Sequence, residues 1–135
     1  MKSKETKNSS EIKIKATVNV KGIEISTKDA VNIARFIRGK EVSKAKHYLE
    51  QVSKKKIAIP SIKFGSSTPH KKGKMGPGSY PLKAAKEFLS LIKSAEANAR
   101  NKGMVPPFSI SFVKADNGGL QWHYGRFRRQ RRKNT

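Results

Sequence analysis

Between Glu50 and Glu87 the chain carries nine lysines and no acidic residue, and beyond Asp116, its last acid, it carries six basic residues with nothing to balance them. Segments so one-sided in charge cannot bury themselves around a core of their own, so any compact domain must be built chiefly from the remainder of the 135 residues. That is chain enough for one domain. Overall, 31 Lys and Arg face 9 Asp and Glu, a net charge of +22, while hydrophobic residues make up 35%. The balance is poor for an ordinary globule and too apolar for a wholly disordered tail, and it predicts a small core in a basic shell. Charge of this size repels itself unless a polyanion neutralises it.

Other classes fall away on the same inventory. With no cysteine there is no disulfide scaffold, no thiol chemistry and no zinc finger. No apolar run approaches the roughly 18 residues of a membrane span, and Met1 to Lys15 lacks the apolar block of a signal peptide, so a soluble intracellular protein with no membrane partner is expected.

Residues 1–10 are polar and aperiodic, a basic disordered arm. From Ile12 to Ile25 apolar and polar residues alternate (Ile12, Ile14, Ala16, Val18, Val20 against Lys13, Lys15, Thr17, Asn19), which predicts a half-buried strand. Ser26 and Thr27 can cap a first helix with Asp29 in its first turn and Ala30, Ile33, Ala34 and Ile37 on one face up to Gly39. A second helix starts near Glu41, with Val42, Ala45, Leu49 and Val52 aligned. Three prolines and four glycines then break up the basic loop 53–80, whose Ile57–Phe64 part is apolar enough to touch the core. A loop this long inside a domain implies function, and its lysines point to phosphate. Pro81 opens the longest helix, striped by Leu82, Ala85, Phe88, Leu89, Ile92, Ala95 and Ala99 and stopped by Gly103. Phe108–Val113 alternates as a further strand, and Asn117-Gly118-Gly119 is a hairpin-like turn signal. The expected units are therefore the arm 1–10, a globular domain 11–116 including the basic loop, and a basic hairpin-like extension 117–135.

Catalysis finds little to work with. His47, His70 and His123 fall in a helix, a basic loop and a basic tail, no pair has metal-ligand spacing, and no two acids form a dyad, so no enzyme, metal or cofactor is expected. Gly73-x-x-Gly76-x-Gly78 does not follow the spacing of a nucleotide-binding loop, yet such a backbone can pass close to phosphates. In the tail, Trp122, His123, Tyr124 and Phe127 are interleaved with arginine, which binds phosphate bidentately and stacks on bases. A nuclear-localisation run would need only one basic segment, and there are two. The candidate RNA-binding residues are Lys71, Lys72, Lys74, Tyr80, Lys83, Trp122, His123, Tyr124, Arg126, Arg128, Arg129, Arg131, Arg132 and Lys133.

One stretch resembles a known family. Tyr80-Pro81, Lys83-Ala84-Ala85, Phe88-Leu89 and Ala95-Glu96-Ala97-Asn98-Ala99, within Gly76–Gly103, resemble the central helix signature of the universal large-subunit ribosomal protein numbered twenty-two in bacteria and seventeen in the eukaryotic series. Ile25-Ser26-Thr27-Lys28, Ile37-Arg38-Gly39 and Ala45-Lys46-His47-Tyr48-Leu49 are similar to its first two helices, and His70–Gly78 to the basic loop of its archaeal and eukaryotic branch. The resemblance implies an α+β fold, three helices packed on a small antiparallel sheet with a long basic β-hairpin-like C-terminal extension. It further implies a structural constituent of the large ribosomal subunit that binds ribosomal RNA, supports assembly and lines the nascent-peptide exit tunnel. The implied hairpin runs from Phe108 onward with its tip around Asn117 to Arg126, and Asn117, Gly118, Gly119, Leu120 and Gln121 are the implied tunnel residues. The family pattern continues into an apolar strand that returns to the sheet, and this sequence ends at Arg132-Lys133-Asn134-Thr135 with that return strand missing. Implied partners are large-subunit ribosomal RNA, neighbouring ribosomal proteins and the nascent polypeptide, with no homo-oligomer, in the cytoplasm. The alternative is a free-standing nucleic-acid-binding regulator or RNA chaperone using the same charges outside any particle.

Overall fold

Three helices carry the core, and none has a side-chain hydrogen bond at its N-cap, the expected capping residue Ser26 included. The computed structural model describes residues 15–118, 123–127 and 130–134. Helix α1, Thr27–Ile37, follows an extended Ser26 at its N-cap and turns Ala30, Ile33, Ala34 and Ile37 inward. Gly39, at φ +75°, takes the left-handed conformation that lets the chain swing into α2, Val42–Ser53, which buries Ala45, Leu49 and Val52. Helix α3, Leu82–Asn101, lies along α2 and buries Ala84, Ala85, Phe88, Ile92 and Ala99. It ends in a Schellman motif: the Met104 amide donates to the Ala99 carbonyl at 3.1 Å and that of Gly103 (φ +72°) to Arg100 at 2.9 Å. Ile33, Ile37, Leu49, Val52 and Ile59 are the largest fully buried side chains, each worth about 1.5–3 kcal/mol of burial.

The small sheet is present, but not where alternation placed it. It lies inside the basic 53–80 segment read as a loop: β1 (Ile59–Pro60), β2 (His70–Lys71) and β3 (Gly76–Ser79) pair antiparallel in the order β1-β3-β2. Ile59 sits opposite Ser79 and Lys71 opposite Gly76. Gly78 permits this close pairing, because a β-carbon there would lie 3.0 Å from the Lys71 side chain and 3.4 Å from the Ile59 carbonyl. Buried Ala58 and Ile59 anchor the sheet to the core, whereas Ile62 and Phe64, in the apolar part of the same segment, are exposed.

The two alternating segments are extended without forming strands. Residues 15–25 keep part of the expected pattern, with Ala16, Val18, Ile23 and Ile25 half-buried and Lys15, Thr17 and Asn19 exposed, but Val20, expected on the half-buried face, is 48% exposed. No backbone among the described residues pairs with them. Instead the Asn98 side chain donates to the Thr17 carbonyl at 3.2 Å and Lys102 to that of Lys15 at 3.0 Å, pinning the segment to the end of α3. The Phe108–Val113 segment makes only an isolated bridge, Ser109 with Glu41, because its backbone groups go to the α1–α2 corner. There Gly39 donates to Ile110, Ile110 to Lys40 and Val42 to Phe108, all at 2.8–2.9 Å. On α3, Leu82, Leu89 and Ala95 of the expected stripe are half-buried rather than core.

Further along, β4 (His123–Phe127) and β5 (Gln130–Asn134) form a separate antiparallel pair. Its register sets Phe127 against Gln130. Asn117 and Gly118 are exposed and unpaired in backbone. The arm 1–10, the first residues of the expected strand at 11–14, and candidates Gly119, Leu120, Gln121, Trp122, Arg128 and Arg129 lie outside the described residues.

Candidate nucleic-acid interface

The antiparallel pairing of β2 with β3 gathers most of the loop candidates. Lys71 stands in β2, Lys72 and Lys74 are exposed on the turn, and Gly73 (φ +88°) and Gly76 (φ +71°) supply the left-handed conformations that close it. Tyr80 follows β3, and the Lys71 ammonium lies 5.2 Å from its ring centroid. Lys83 is exposed one residue into α3. Short side chains and backbone amides on such a turn let a phosphate approach closely while the three lysines supply charge. The arrangement has the charge to neutralise a phosphodiester backbone, and Tyr80 adds a half-buried ring beside it.

The tail candidates form the second group. His123, Tyr124 and Arg126 lie in β4, and Arg131, Arg132 and Lys133 in β5. The register opposes Tyr124 to Lys133, Gly125 to Arg132 and Arg126 to Arg131. Of these only Arg126 and Arg131 set like charges at directly opposed positions, a pairing that is unfavourable in isolation.

The family model described as ribosomal protein L22p/L17e matches residues 18–132, which include all three helices, the inner sheet and the β4–β5 ladder as far as Arg132. This chain belongs to that family. Among its relatives, the large ribosomal subunit protein uL22 of Thermoplasma volcanium is 48% identical over 98 residues, covering 72% of this chain and 66% of that protein. The uL22 proteins of Picrophilus torridus and Thermoplasma acidophilum are 38% and 43% identical over 105 and 106 residues, in each case 78% of this chain and 70% of the relative. The chain thus spans about two thirds of the length of the curated relatives it matches.

In this member of the L22p/L17e family, charge is also organised on surfaces that the acid-free segments did not reveal. Lys28 and Arg35 are exposed on α1, away from its buried face, Arg38 caps its C-terminus, and Lys63, from the loop beyond β1, lines a groove with Arg35 and Arg38. The signal was in the sequence, as basic residues at i, i+7 and i+10, but no run of like charge marked it. Between α2 and α3, Glu96 accepts from Lys46 and, at 2.7 Å, from Arg100. The hydrogen bond from Lys46, helped by the nearby Lys46 and Arg100 charges, holds the Glu96 carboxyl below its ordinary value against the opposing effect of burial. This acid joins two helices. His47 and His70 are both exposed, one on α2 and one in β2.

Proposed function

We propose that this chain is a structural constituent of the large ribosomal subunit, working in the cytoplasm as part of the ribosome. It binds large-subunit ribosomal RNA, supports subunit assembly, packs as a single copy against neighbouring ribosomal proteins, and catalyses no reaction. The observation that carries the reading is the family match across residues 18–132, which takes in the core and both basic hairpins. Physical chemistry agrees with it: a small core of three helices holds out cationic turns whose acids are absent, the design expected of a protein that folds against phosphate.

Backbone phosphates supply most of the affinity, through Lys71, Lys72, Lys74, Lys83 and the tail residues Arg126, Arg128, Arg129, Arg131, Arg132 and Lys133. Tyr80, Trp122, His123 and Tyr124 stack on unpaired bases. The C-terminal extension lines the nascent-peptide tunnel, with Asn117, Gly118, Gly119, Leu120 and Gln121 facing the passing chain. Neutralising about eight phosphates gives a log–log salt slope of roughly −6 to −7 for RNA binding. Replacing Lys71, Lys72 and Lys74 together by Ala lowers that slope by about three and leaves the melting transition in place. A salt-independent affinity, or a protein that sediments only in the free fraction of a cell extract at moderate salt, refutes the reading.

A further inference from the structure

We propose that the groove between α1 and the extended residues 113–115 is a third RNA-binding surface, taking the phosphodiester backbone of an unpaired RNA stretch whose bases stack on Phe64 and Phe112. The inference rests on the RNA-binding reading above and extends it to a face built from α1, residues 112–115 and the Lys63–Phe64 part of the first acid-free segment, away from the β2–β3 turn.

The groove is open, about 410 Å³, and is lined by Arg35 and Arg38 of α1, by Lys63 and by Lys114. Lys114 is engaged with Asp116 at 3.0 Å. Among the described residues Lys28, Arg35, Arg38 and Lys63 make no ion pair with a carboxylate. The one acid of α1, Asp29, lies on another face, in a hollow shared with Glu24 and the start of α3. Arg35, Arg38 and Lys63 therefore line the groove with no carboxylate partner among the described residues, and Lys28 lies beside Phe64.

An exposed aromatic ring stands at each end of that path. At the start of α1, Phe64 is 50% exposed, and the Lys28 and Lys63 ammonium groups lie 5.8 and 5.4 Å from its ring centroid. At the other end Phe112 is 71% exposed, with the Arg38 guanidinium 5.7 Å from its ring. From Lys28 to Arg38 the helix rises about 15 Å. Exposed rings are costly in water, and a ring flanked by cations is what a stacked base with its phosphates requires.

Both rings are also held in place. Asn32, only 5% exposed, donates from Nδ2 to the Lys63 carbonyl at 3.0 Å and accepts from the Lys63 amide at 3.2 Å, clamping the loop to α1 from 31 residues away. Phe64 follows with φ +64°, an unfavourable conformation for a residue with a β-carbon, and this turns the chain beside Lys28. Arg38 donates to the Val113 carbonyl at 2.6 Å, fixing the segment that carries Phe112. An acidic peptide would satisfy the cations but offers nothing to cover two separated rings, so RNA fits the whole surface and a peptide only half of it.

The test measures binding of the full-length chain to deproteinised large-subunit ribosomal RNA and to a uridine oligonucleotide as a function of salt. Arg35→Glu with Lys63→Glu should lower the log–log salt slope by about two on both probes. Phe64→Ala, and separately Phe112→Ala, should weaken the oligonucleotide roughly five- to 150-fold, the stacking of one base. Unchanged melting transitions show that the variants fold. If the double variant binds both probes like the parent while the Lys71, Lys72 and Lys74 triple variant binds weakly, the groove proposal is overturned and the general RNA reading stands. If neither set of variants matters, both are overturned. If polyglutamate displaces the oligonucleotide from the groove and neither phenylalanine matters, the surface belongs to an acidic protein partner and the proposal also fails.

Discussion

Asn32 is the most informative single position in this fold, because one buried amide joins helix α1 to the loop carrying Lys63 and Phe64. Its side chain makes two hydrogen bonds to one backbone unit, and each such bond contributes about 0.5–1.5 kcal/mol net. Asn32→Ala removes both. Lys63 is exposed, so water can reach the freed amide and carbonyl, and the expected loss is therefore about 1–3 kcal/mol, without the larger penalty of groups left dry. Asn32→Asp separates geometry from charge. The carboxylate still accepts from the Lys63 amide, but it faces the Lys63 carbonyl, which Asn32 Nδ2 had donated to, and it sits where only 5% of the residue is exposed. Near pH 7 this variant should be less stable than Asn32→Ala. Burial and the facing carbonyl raise the folded pKa of the new acid above its unfolded value, so its stability relative to the alanine variant is greatest below about pH 4. That advantage disappears as pH rises through the raised pKa, which is the sign linkage demands. Urea unfolding followed by circular dichroism near pH 4 and pH 7 reads both effects, with the alanine variant cancelling every other titration. An alanine variant within about 0.5 kcal/mol of the parent refutes the clamp, because surface changes of no consequence fall in that range. So does an aspartate variant as stable as the parent at pH 7.

Two further predictions concern the core and the joint between its helices. Leu49→Ala should cost about 2–5 kcal/mol, because the side chain is fully buried between helices, while half-buried Leu89→Ala should cost roughly half as much; equal losses in urea unfolding would contradict the facing of α3. Glu96→Gln should destabilise the chain at neutral pH by removing the charged partner of Lys46 and Arg100. Because the folded carboxyl is held below its ordinary value of 4.5, the difference from the parent should be present above that pH and shrink as pH falls through the lowered value. A difference in melting temperature that grows on acidification would refute the pairing.

The three helices were legible because their signals are local. Ala30, Ile33, Ala34 and Ile37 repeat at helical spacing and stop at a glycine, and Ala85, Phe88 and Ile92 do the same before Gly103. Strand pairing is not local. Alternation over residues 15–25 marked Ala16 and Val18 as half-buried but missed that Val20 is exposed, and it cannot say whose backbone lies alongside; here the alternating segments bind helix ends and a helix corner instead of each other. The sheet that does form was hidden for the opposite reason. Its strands are two to four residues long and contain Pro60, Pro77, Gly76 and Gly78, the residues that normally break strands. Pro77 is tolerated because its carbonyl, which accepts from the Ser61 amide at 2.9 Å, is the only backbone group it needs to satisfy. The α1 cations escaped notice because a stripe spaced around a helix leaves no run of charge in sequence, and the partner residue Lys63 arrives only through the Asn32 contact.

That contact also decides how the +22 charge should be understood. Were the basic residues spread evenly, salt would screen them alike and folding and binding would respond together. In this chain two of the acids join structure: Glu96 ties α2 to α3, and Glu41 accepts from Ser43 and pairs with Lys44 at the start of α2. The core therefore carries its own counter-charges, while the β2–β3 turn, the β4–β5 ladder and the α1 groove are left to an external anion. Salt should then act oppositely on the two properties. Screening relieves repulsion within the free chain and raises its melting temperature, while the same ions compete for phosphate sites and lower RNA affinity. Parallel melting and binding titrations from about 50 to 500 mM salt would show curves of opposite slope if the cationic surfaces are built for a partner. Curves falling together would mean that ion pairs within the chain, rather than burial of residues such as Leu49 and Ile33, hold the fold.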